Sequence, residues 1–356
     1  MQKGDVISFL NYRIIQSVHG ISVDQTAHIL EMVDKFLDKD QKVSPTSTPL
    51  RSDKQFNEEV FLSVPATPAE MKSLEREFGH KFSTVYGALL HVATASRPDI
   101  ANALNRLGVF QSGPNRLVFQ SIFRIIKYLK CYPNIPLMYS RLPFRTTTIF
   151  ESHLSTASDE NRLIVPHYLC GHVDSSFVPF KESRHSITGC FETIGTVAVG
   201  WRVTKQITCA TSATDAETRA YYLESKRMKQ KRMFLQQLGM LLHAPSPVLS
   251  AINQNLKMPS LIFEDNKGCR DMLQAQRVTS NFKHMEIPFQ YMHGLHFCGT
   301  LTCLPCGTKL MLADTLTKQE TGPKHTQGRN WYMGKRFYPP VNSKHYAHLT
   351  SIVKLN

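Results

Sequence analysis

No apolar run in this 356-residue chain approaches the roughly 18 residues that span a bilayer. A membrane-spanning helix is therefore not expected. The N-terminus, MQKGDVISFLNYRII, lacks the long apolar core of a secretory signal. Acidic residues are in short supply, with 28 Asp and Glu against 42 Lys and Arg, a formal net charge of +14. Such a surplus of positive charge favours a polyanionic partner, because neutralising phosphates releases counterions. Internal repeats and low-complexity tracts are also missing. Eight cysteines are present, but without a signal peptide they read as reduced thiols of a cytosolic or nuclear protein rather than a disulfide frame. A second CxxC pair is absent. Cys298, Cys303 and Cys306, with His293 and His296 upstream, could be read as a zinc cluster, yet structural zinc sites usually show two such pairs. The competing reading makes LTCLPC a strand bearing small apolar cysteines.

What is present suits packed cores: hydrophobic residues make up 42% of a chain long enough for two or three domains. At the start, ISFLNYRIIQ and GISVDQ read as a strand pair about a turn at His19-Gly20, followed by a helix in TAHILEMVDKFL that ends at SPTSTPL. Further helices follow in FSTVYGALLHVATASRPDIANALNRLGVF, broken at Arg97-Pro98, and in LVFQSIFRIIKYLKCY. Residues 142–165 are rich in Ser and Thr without a clean period and read as a linker or inserted loop. Beyond them the pattern changes. HYLCGHVDSSF, SITGCFETIG and VAVGWRVTKQI read as strands, and residues 214–242 as a long helix. Thr214 can cap that helix, with Glu217 completing a capping box. Then come a strand (LIFED), a helix around Pro288, a strand (TLTCLPC) and a short helix in KLMLADTLTK. This order predicts a layered α/β domain.

Four acids stand out. Asp174 lies in the first of these strands and Glu217 in the first turn of the long helix. Asp265 ends LIFED, and Asp314 lies in the last helix. In open α/β sheets functional residues gather at strand ends. Hard oxygen ligands without a nearby His or Cys pair suit Mg²⁺, or Mn²⁺. Two such ions can clamp the attacking and leaving oxygens of a phosphodiester displacement. Glu264, one residue before Asp265, is expected to alternate to the opposite face and meet solvent. Each acid also has a plainer role open to it: Glu217 as a capping residue, Asp265 as the cap of the next helix.

The same residues carry a resemblance. GHVDSSF is similar to GYSDADWAG, KESRHSITG to KxxRxSxTG, and WRVTKQ to WSxKKQ. SATDAET resembles SSTEAEY, FEDNKGC resembles YCDNQSA, FKHMEIPFQYMHG resembles TKHIDIRYHFIRE, and LADTLTK resembles LADIFTK. These motifs, in this order, resemble the C-terminal part of the Pol polyprotein of copia-type LTR retrotransposons: the end of the reverse transcriptase followed by an RNase H domain. Upstream, YGALLHVATASRPDIANAL is similar to the family's VGSLLYLAxxTRPDI stretch, so the resemblance runs from about Ile7 to Lys318.

The resemblance implies an RNase H-like five-stranded mixed sheet with flanking helices over residues 166–320. It implies a mostly helical thumb and connection region of a reverse transcriptase over 1–141, and it leaves 321–356 as a C-terminal tail. Asp174, Glu217, Asp265 and Asp314 would hold two Mg²⁺ ions, with Mn²⁺ possible, and hydrolyse the RNA strand of an RNA–DNA hybrid. No small-molecule cofactor is implied. Lys226, Arg227, Lys229, Lys231 and Arg232 could track a phosphate backbone, or form a solvated helix face. His284 sits at a motif position, as a neighbour of the site or in a structural role. Other Pol or Gag products are further expected partners, and a retrotransposon particle in the cytoplasm, or the nucleus, the expected place. Ser176, Phe177 and Asp215 depart from the family pattern but remove none of the four acids. The paired aspartates of a polymerase are absent, so polymerase activity is not expected of this chain alone. The rival expectations are an inactive remnant or co-opted nucleic-acid-binding module of the same fold, and, more distantly, an integrase-like DNA nuclease.

Overall fold

The computed structural model describes residues 6–17, 20–37, 44–53, 59–60, 63–140, 169–177, 184–194, 197–239, 259–275, 280–308 and 311–334. The expected linker at 142–165 and residues 335–356 lie outside the described residues.

The run expected as a single first strand is two. Strands β1 (Val6–Phe9) and β2 (Tyr12–Ser17) meet across Leu10 and Asn11, whose φ angles are 46° and 66°. Two consecutive residues with positive φ make the tight turn that matches the twist of a hairpin. No glycine marks it; Asn11 is the one residue there that tolerates this region well. Strands β3 (Gly20–Asp24) and β4 (Leu137–Ser140) complete an antiparallel sheet in the order β1-β2-β3-β4.

Among the described residues five helices surround one apolar core beside that sheet. They are α1 (Thr26–Phe36), α2 (Pro68–Glu77), α3 (Phe82–Ala95), α4 (Ala101–Gly108) and α5 (Arg116–Cys131). The apolar residues that recur at helical spacing supply it, among them Ile29, Leu89, Leu104 and Ile126. The break at Arg97-Pro98 is real: a 3-10 turn, Pro98–Ile100, separates α3 from α4. Arg97 and Asp99 form a buried ion pair at 2.8 Å across it.

The second sheet is mixed and five-stranded, in the order β7-β6-β5-β8-β9. Its strands are β5 (Leu169–Ser176), β6 (Ile187–Ile194), β7 (Val197–Lys205), β8 (Ser260–Glu264) and β9 (Leu301–Pro305). β5 pairs antiparallel with β6 and parallel with β8. As a central strand covered on both faces, β5 is buried over nearly its whole length, so it shows no polar alternation. Helix α6 (Ala213–Gln237) packs Ala220, Tyr221 and Met228 against Leu169, Val173 and Ile262. α7 (Lys267–Gln274) and α8 (Glu286–Phe297) join the same core. The opposite face is covered by α9 (Asp314–Thr317) and α10 (Gly322–Tyr332), with Phe191, Leu316, Trp331 and Tyr332 in a core that also takes Leu137. Part of the stretch expected as a tail is thus a packed helix. Among the described residues no helix is long and apolar enough to cross a membrane.

Candidate metal centre

Parallel pairing of β5 and β8 sets their C-terminal ends side by side. Asp174 lies near the end of β5, and Asp265 follows the last residue of β8. Helix α6 starts over the same edge and brings in Glu217. Asp174, Glu217 and Asp265 each offer a carboxylate oxygen within 4.8 Å of the others. The three come from three elements spread over the sequence.

Two glycines let these elements approach. A Cβ on Gly189, the partner of Asp174 across β5 and β6, would stand 2.7 Å from Thr317 Cγ2 and 2.9 Å from Leu316 Cβ. A Cβ on Gly268, in the first turn of α7, would stand 2.9 Å from Thr214 Oγ1. The first contact draws α9 onto the sheet beside Asp174. The second draws α7, and the Asp265 turn before it, onto the start of α6.

The start of α6 differs from the expectation. Ser212, not Thr214, is the N-cap, and its side chain accepts from the Asp215 N–H at 3.1 Å. Asp215 turns back to accept from the Thr211 N–H at 2.8 Å and from Arg219 Nε at 2.8 Å. With the cap two residues earlier, Glu217 is released from capping. Its carboxylate is nearly buried, and Oε2 has no hydrogen-bond partner.

Asp314, the fourth expected acid, is the first residue of α9 and lies beside the trio rather than within it. It is tied to Asp174 through Lys318, whose Nζ lies 3.4 Å from Asp174 Oδ1 and touches Asp314 Oδ1. Thr317 Oγ1 donates to Asp174 Oδ2. Neither Thr317 nor Lys318 was singled out from sequence. Their spacing of three and four residues from Asp314 on one short helix was the available signal.

Burial dominates the electrostatics. It pushes the Asp174 carboxyl up to about 7, against the pull of Lys318, with Asp314 and Asp265 adding to the rise. It pushes Glu217 up to about 10, helped by Glu264, Asp174 and Asp265. Asp314 is also raised, chiefly by burial. Glu264 corrects the expectation that it meets solvent: it is fully buried, and its carboxyl is held well above the usual range. β8 runs between β5 and β9 with α6 and α7 packed on it, so alternation turns Glu264 towards that helix layer and not towards water.

The donor set fits a hard cation. Every donor is a carboxylate oxygen, which suits Mg²⁺ or Mn²⁺. Glu217 Oε2 is buried without a hydrogen-bond partner, a costly arrangement that a cation would relieve. No zinc cluster forms from the cysteines and histidines among the described residues. Cys303 lies on β9, Cys298 Sγ lies 3.0 Å from Thr300 Oγ1, and His296 Nε2 lies 2.9 Å from the Tyr221 hydroxyl. The strand reading of LTCLPC is the one found.

The basic run divides. Arg227 makes a two-pronged pair with Glu192 at 2.8 and 2.9 Å, and Lys231 reaches the same carboxylate at 3.1 Å. Arg232 is buried and donates to Ser260 Oγ at 3.1 Å. At about 100° per residue a run of seven wraps the helix. One side meets the buried Glu192. Only Lys226 and Lys229 share the outer side, above the rings of Tyr222 and Tyr291. His284 Nε2 lies 3.2 Å from Asp215 Oδ2, at the capping turn of α6 rather than on the three acids.

No protein-family model matches the chain. Known proteins do. The retrovirus-related Pol polyprotein from transposon RE1 of Arabidopsis thaliana is 26% identical over 238 residues, 67% of this chain and 14% of that protein. The chain resembles transposon Pol polyproteins. The one from transposon TNT 1-94 of Nicotiana tabacum is 23% identical over 296 residues, 83% of this chain and 19% of that protein. The one from transposon RE2 of Arabidopsis thaliana is 23% identical over 238 residues, 67% of this chain and 14% of that protein. The chain thus spans less than a fifth of the length of these Pol relatives.

Proposed function

We propose that residues 166–320 form an RNase H-like domain that hydrolyses the RNA strand of RNA–DNA hybrids, joined to the thumb and connection region of a reverse transcriptase over residues 1–141. The observation that carries the reading is the meeting of Asp174, Glu217 and Asp265 within 4.8 Å at one end of a mixed sheet. Similarity to retrotransposon Pol polyproteins supports it.

In this reading Asp174, Glu217 and Asp265 hold Mg²⁺ or Mn²⁺, and Asp314 completes the set. When bound, two such ions supply an activated water and a clamp on the reacting phosphate oxygens. Thr317 fixes the rotamer of Asp174 by its hydroxyl bond, so one oxygen is aimed and the other constrained. Burial keeps water from competing for Glu217. Lys226 and Lys229, on the outer side of α6, meet the phosphate backbone, and the ribose 2′-hydroxyls of an A-form-like hybrid distinguish RNA from DNA.

The test is cleavage of an end-labelled RNA–DNA hybrid by the full chain with Mg²⁺, then Mn²⁺. Products with 3′-hydroxyl and 5′-phosphate ends are expected from the parent. Asp265→Asn keeps the shape and should lower the rate by about two to three orders of magnitude, the loss typical of a disrupted electrostatic centre. Hybrid binding without cutting in either metal overturns the catalytic assignment in favour of a nucleic-acid-binding module.

A further inference from the structure

We propose that Asn102 and Arg106, on helix α4 of the first region, are positioning residues of the carboxylate centre: they hold the backbone of α9 so that Thr317 aims Asp174 at an entering divalent cation. The inference rests on the reading that the centre binds such a cation.

A helix of one turn does not hold itself in place, because the bonds it closes do not repay the ordering of its residues. α9 spans only Asp314–Thr317, so its position is set by what grips it. The end of any helix also leaves carbonyls without partners inside the helix. Here α4 supplies the donors. Arg106 Nη2 donates to the Thr317 carbonyl at 3.2 Å, and Asn102 Nδ2 donates to the Lys318 carbonyl at 2.6 Å. Asn102 Nδ2 also lies 3.4 Å from the Thr315 carbonyl. Asn102 and Arg106 share one face of α4, and Arg106 Nε donates to Asn102 Oδ1 at 3.1 Å. Both side chains are buried. The clamp is itself anchored on the sheet that carries Asp174. Asn105 Nδ2 donates to the Val203 carbonyl of β7 at 3.2 Å, and Trp201 Nε1 of β7 donates to the Ala93 carbonyl of α3 at 2.7 Å.

Where these bonds end separates positioning from interface packing. Buried polar side chains need partners wherever they lie, and backbone carbonyls are plentiful. These bonds end on Thr317 and Lys318, the two residues whose side chains reach Asp174. The two respond differently to a shift of the backbone. Lys318 carries its ammonium on a flexible four-carbon stem and can follow the carboxylates. Thr317 is stiff at its first side-chain torsion, so its hydroxyl moves with the backbone. Loosening the α4 clamp therefore breaks the Thr317 bond first, and Asp174 Oδ2 loses the donor that fixes it. Groups that orient a metal ligand from behind typically account for about 10–100-fold in affinity. The donors stand 211 and 216 residues before the carbonyls they hold. The centre proposed within residues 166–320 is thus completed by a helix outside that range.

The experiment is calorimetric titration of the full chain with MnCl₂, at a temperature where thermal denaturation in a chelator shows each variant folded. Arg106→Met keeps the stem, removes the donors, and should bind Mn²⁺ about tenfold more weakly. Thr317→Val should do the same. The two substitutions together should bind within about twofold of Thr317→Val alone, because the clamp acts through that hydroxyl. Arg106→Lys keeps a donor and should recover part of the loss. Should Arg106→Met not fold, Asn102→Leu takes its place in the same cycle with the same expectation. A loss that adds in full to that of Thr317→Val assigns the clamp to general packing and overturns the proposal. Affinity of Arg106→Met within about twofold of the parent, while Asp265→Asn loses binding, also overturns it and leaves the metal reading standing. A parent chain that takes up no Mn²⁺ overturns the metal reading itself, and this inference with it.

Discussion

Lys318 sets its ammonium 3.4 Å from Asp174 Oδ1 and in contact with Asp314 Oδ1. It is a resident counter-ion, held beside a centre whose acids repel one another. A divalent ion entering there meets that positive charge. Lys318 is 40% exposed, so solvent screens much of the repulsion. Lys318→Met should therefore strengthen Mn²⁺ binding by roughly 1 kcal/mol, a factor of about five. Metal-free stability should fall, because Asp174 and Asp314 lose their partner. Calorimetric titration and a thermal midpoint in chelator check both halves. Weaker Mn²⁺ binding would instead make Lys318 an orienting partner of Asp174.

Glu217 gives a pH signature. Its carboxyl is raised to about 10 in the fold, chiefly by burial and then by Glu264. The unfolded chain releases that proton in the ordinary carboxylate range. The stability this group contributes is therefore full at low pH and is lost as pH rises towards the folded value. Asp174, raised to about 7, acts in the same direction. The metal-free chain should lose stability between about pH 5 and pH 9, and Glu217→Gln should flatten that slope while abolishing Mn²⁺ binding. Thermal midpoints across this range in a chelator read it directly. A Glu217→Gln slope equal to the parent's would place the strain elsewhere.

Asp99 works with the opposite sign. It is buried beside Arg97, accepts the Tyr128 hydroxyl at 2.7 Å, and its carboxyl falls to about 2, the cations and hydrogen bonds outweighing burial. Such a group stabilises the fold above its ordinary value of 3.8, and the gain is lost as pH falls towards 2. The contribution is roughly 2 kcal/mol. The same network reaches α10, where Arg329 Nη1 donates to the Tyr128 hydroxyl at 3.1 Å and His325 Nε2 lies 3.1 Å from the Asp99 carbonyl. Asp99→Asn leaves Arg97 buried without its counter-charge and should cost about 3–5 kcal/mol, read by chemical denaturation. The SRPDI stretch, part of the sequence resemblance, is accounted for by this pair.

The strands of the second sheet could be read from sequence because β5 to β9 are short apolar runs between turn residues, and α6 because its length leaves no other choice. Asp265 could be picked out because a carboxylate at the end of such a run is out of place, whereas Glu217 and Asp314, on helices, are picked out by the resembled motifs. What could not be read depended on partners far along the chain. The Leu10–Asn11 turn has no glycine to announce it. Ser212 and Thr214 are both cap residues, and the choice between them followed from the loop that Asp215 ties to Thr211. Glu264 alternates away from Asp265 as expected. Which layer covers that side is decided by β9 and α7, not by the strand itself. The basic run looks continuous on paper because sequence hides the 100° turn per residue, and Glu192, which claims two of its members, is more than 30 residues away.

That division sets the last prediction. If α6 meets a hybrid, Lys226 and Lys229 are the members of the run free to do so, since Arg227, Lys231 and Arg232 are engaged within the fold. Lys226→Ala with Lys229→Ala should weaken hybrid binding uniformly across sequences. It should also lower the salt dependence of binding by about two phosphate contacts. Stability should change by no more than about 1–2 kcal/mol, the worth of the two contacts with the Tyr222 and Tyr291 rings. Arg227→Ala should do the reverse. It strips the bidentate partner from a carboxylate with no exposed surface, so it should cost about 3–5 kcal/mol of stability, with the salt slope of whatever remains folded unchanged. Binding titrations at several salt concentrations, run beside denaturation curves, separate the two. A salt slope that drops for Arg227→Ala and not for the lysine pair would put the nucleic acid on the other side of α6.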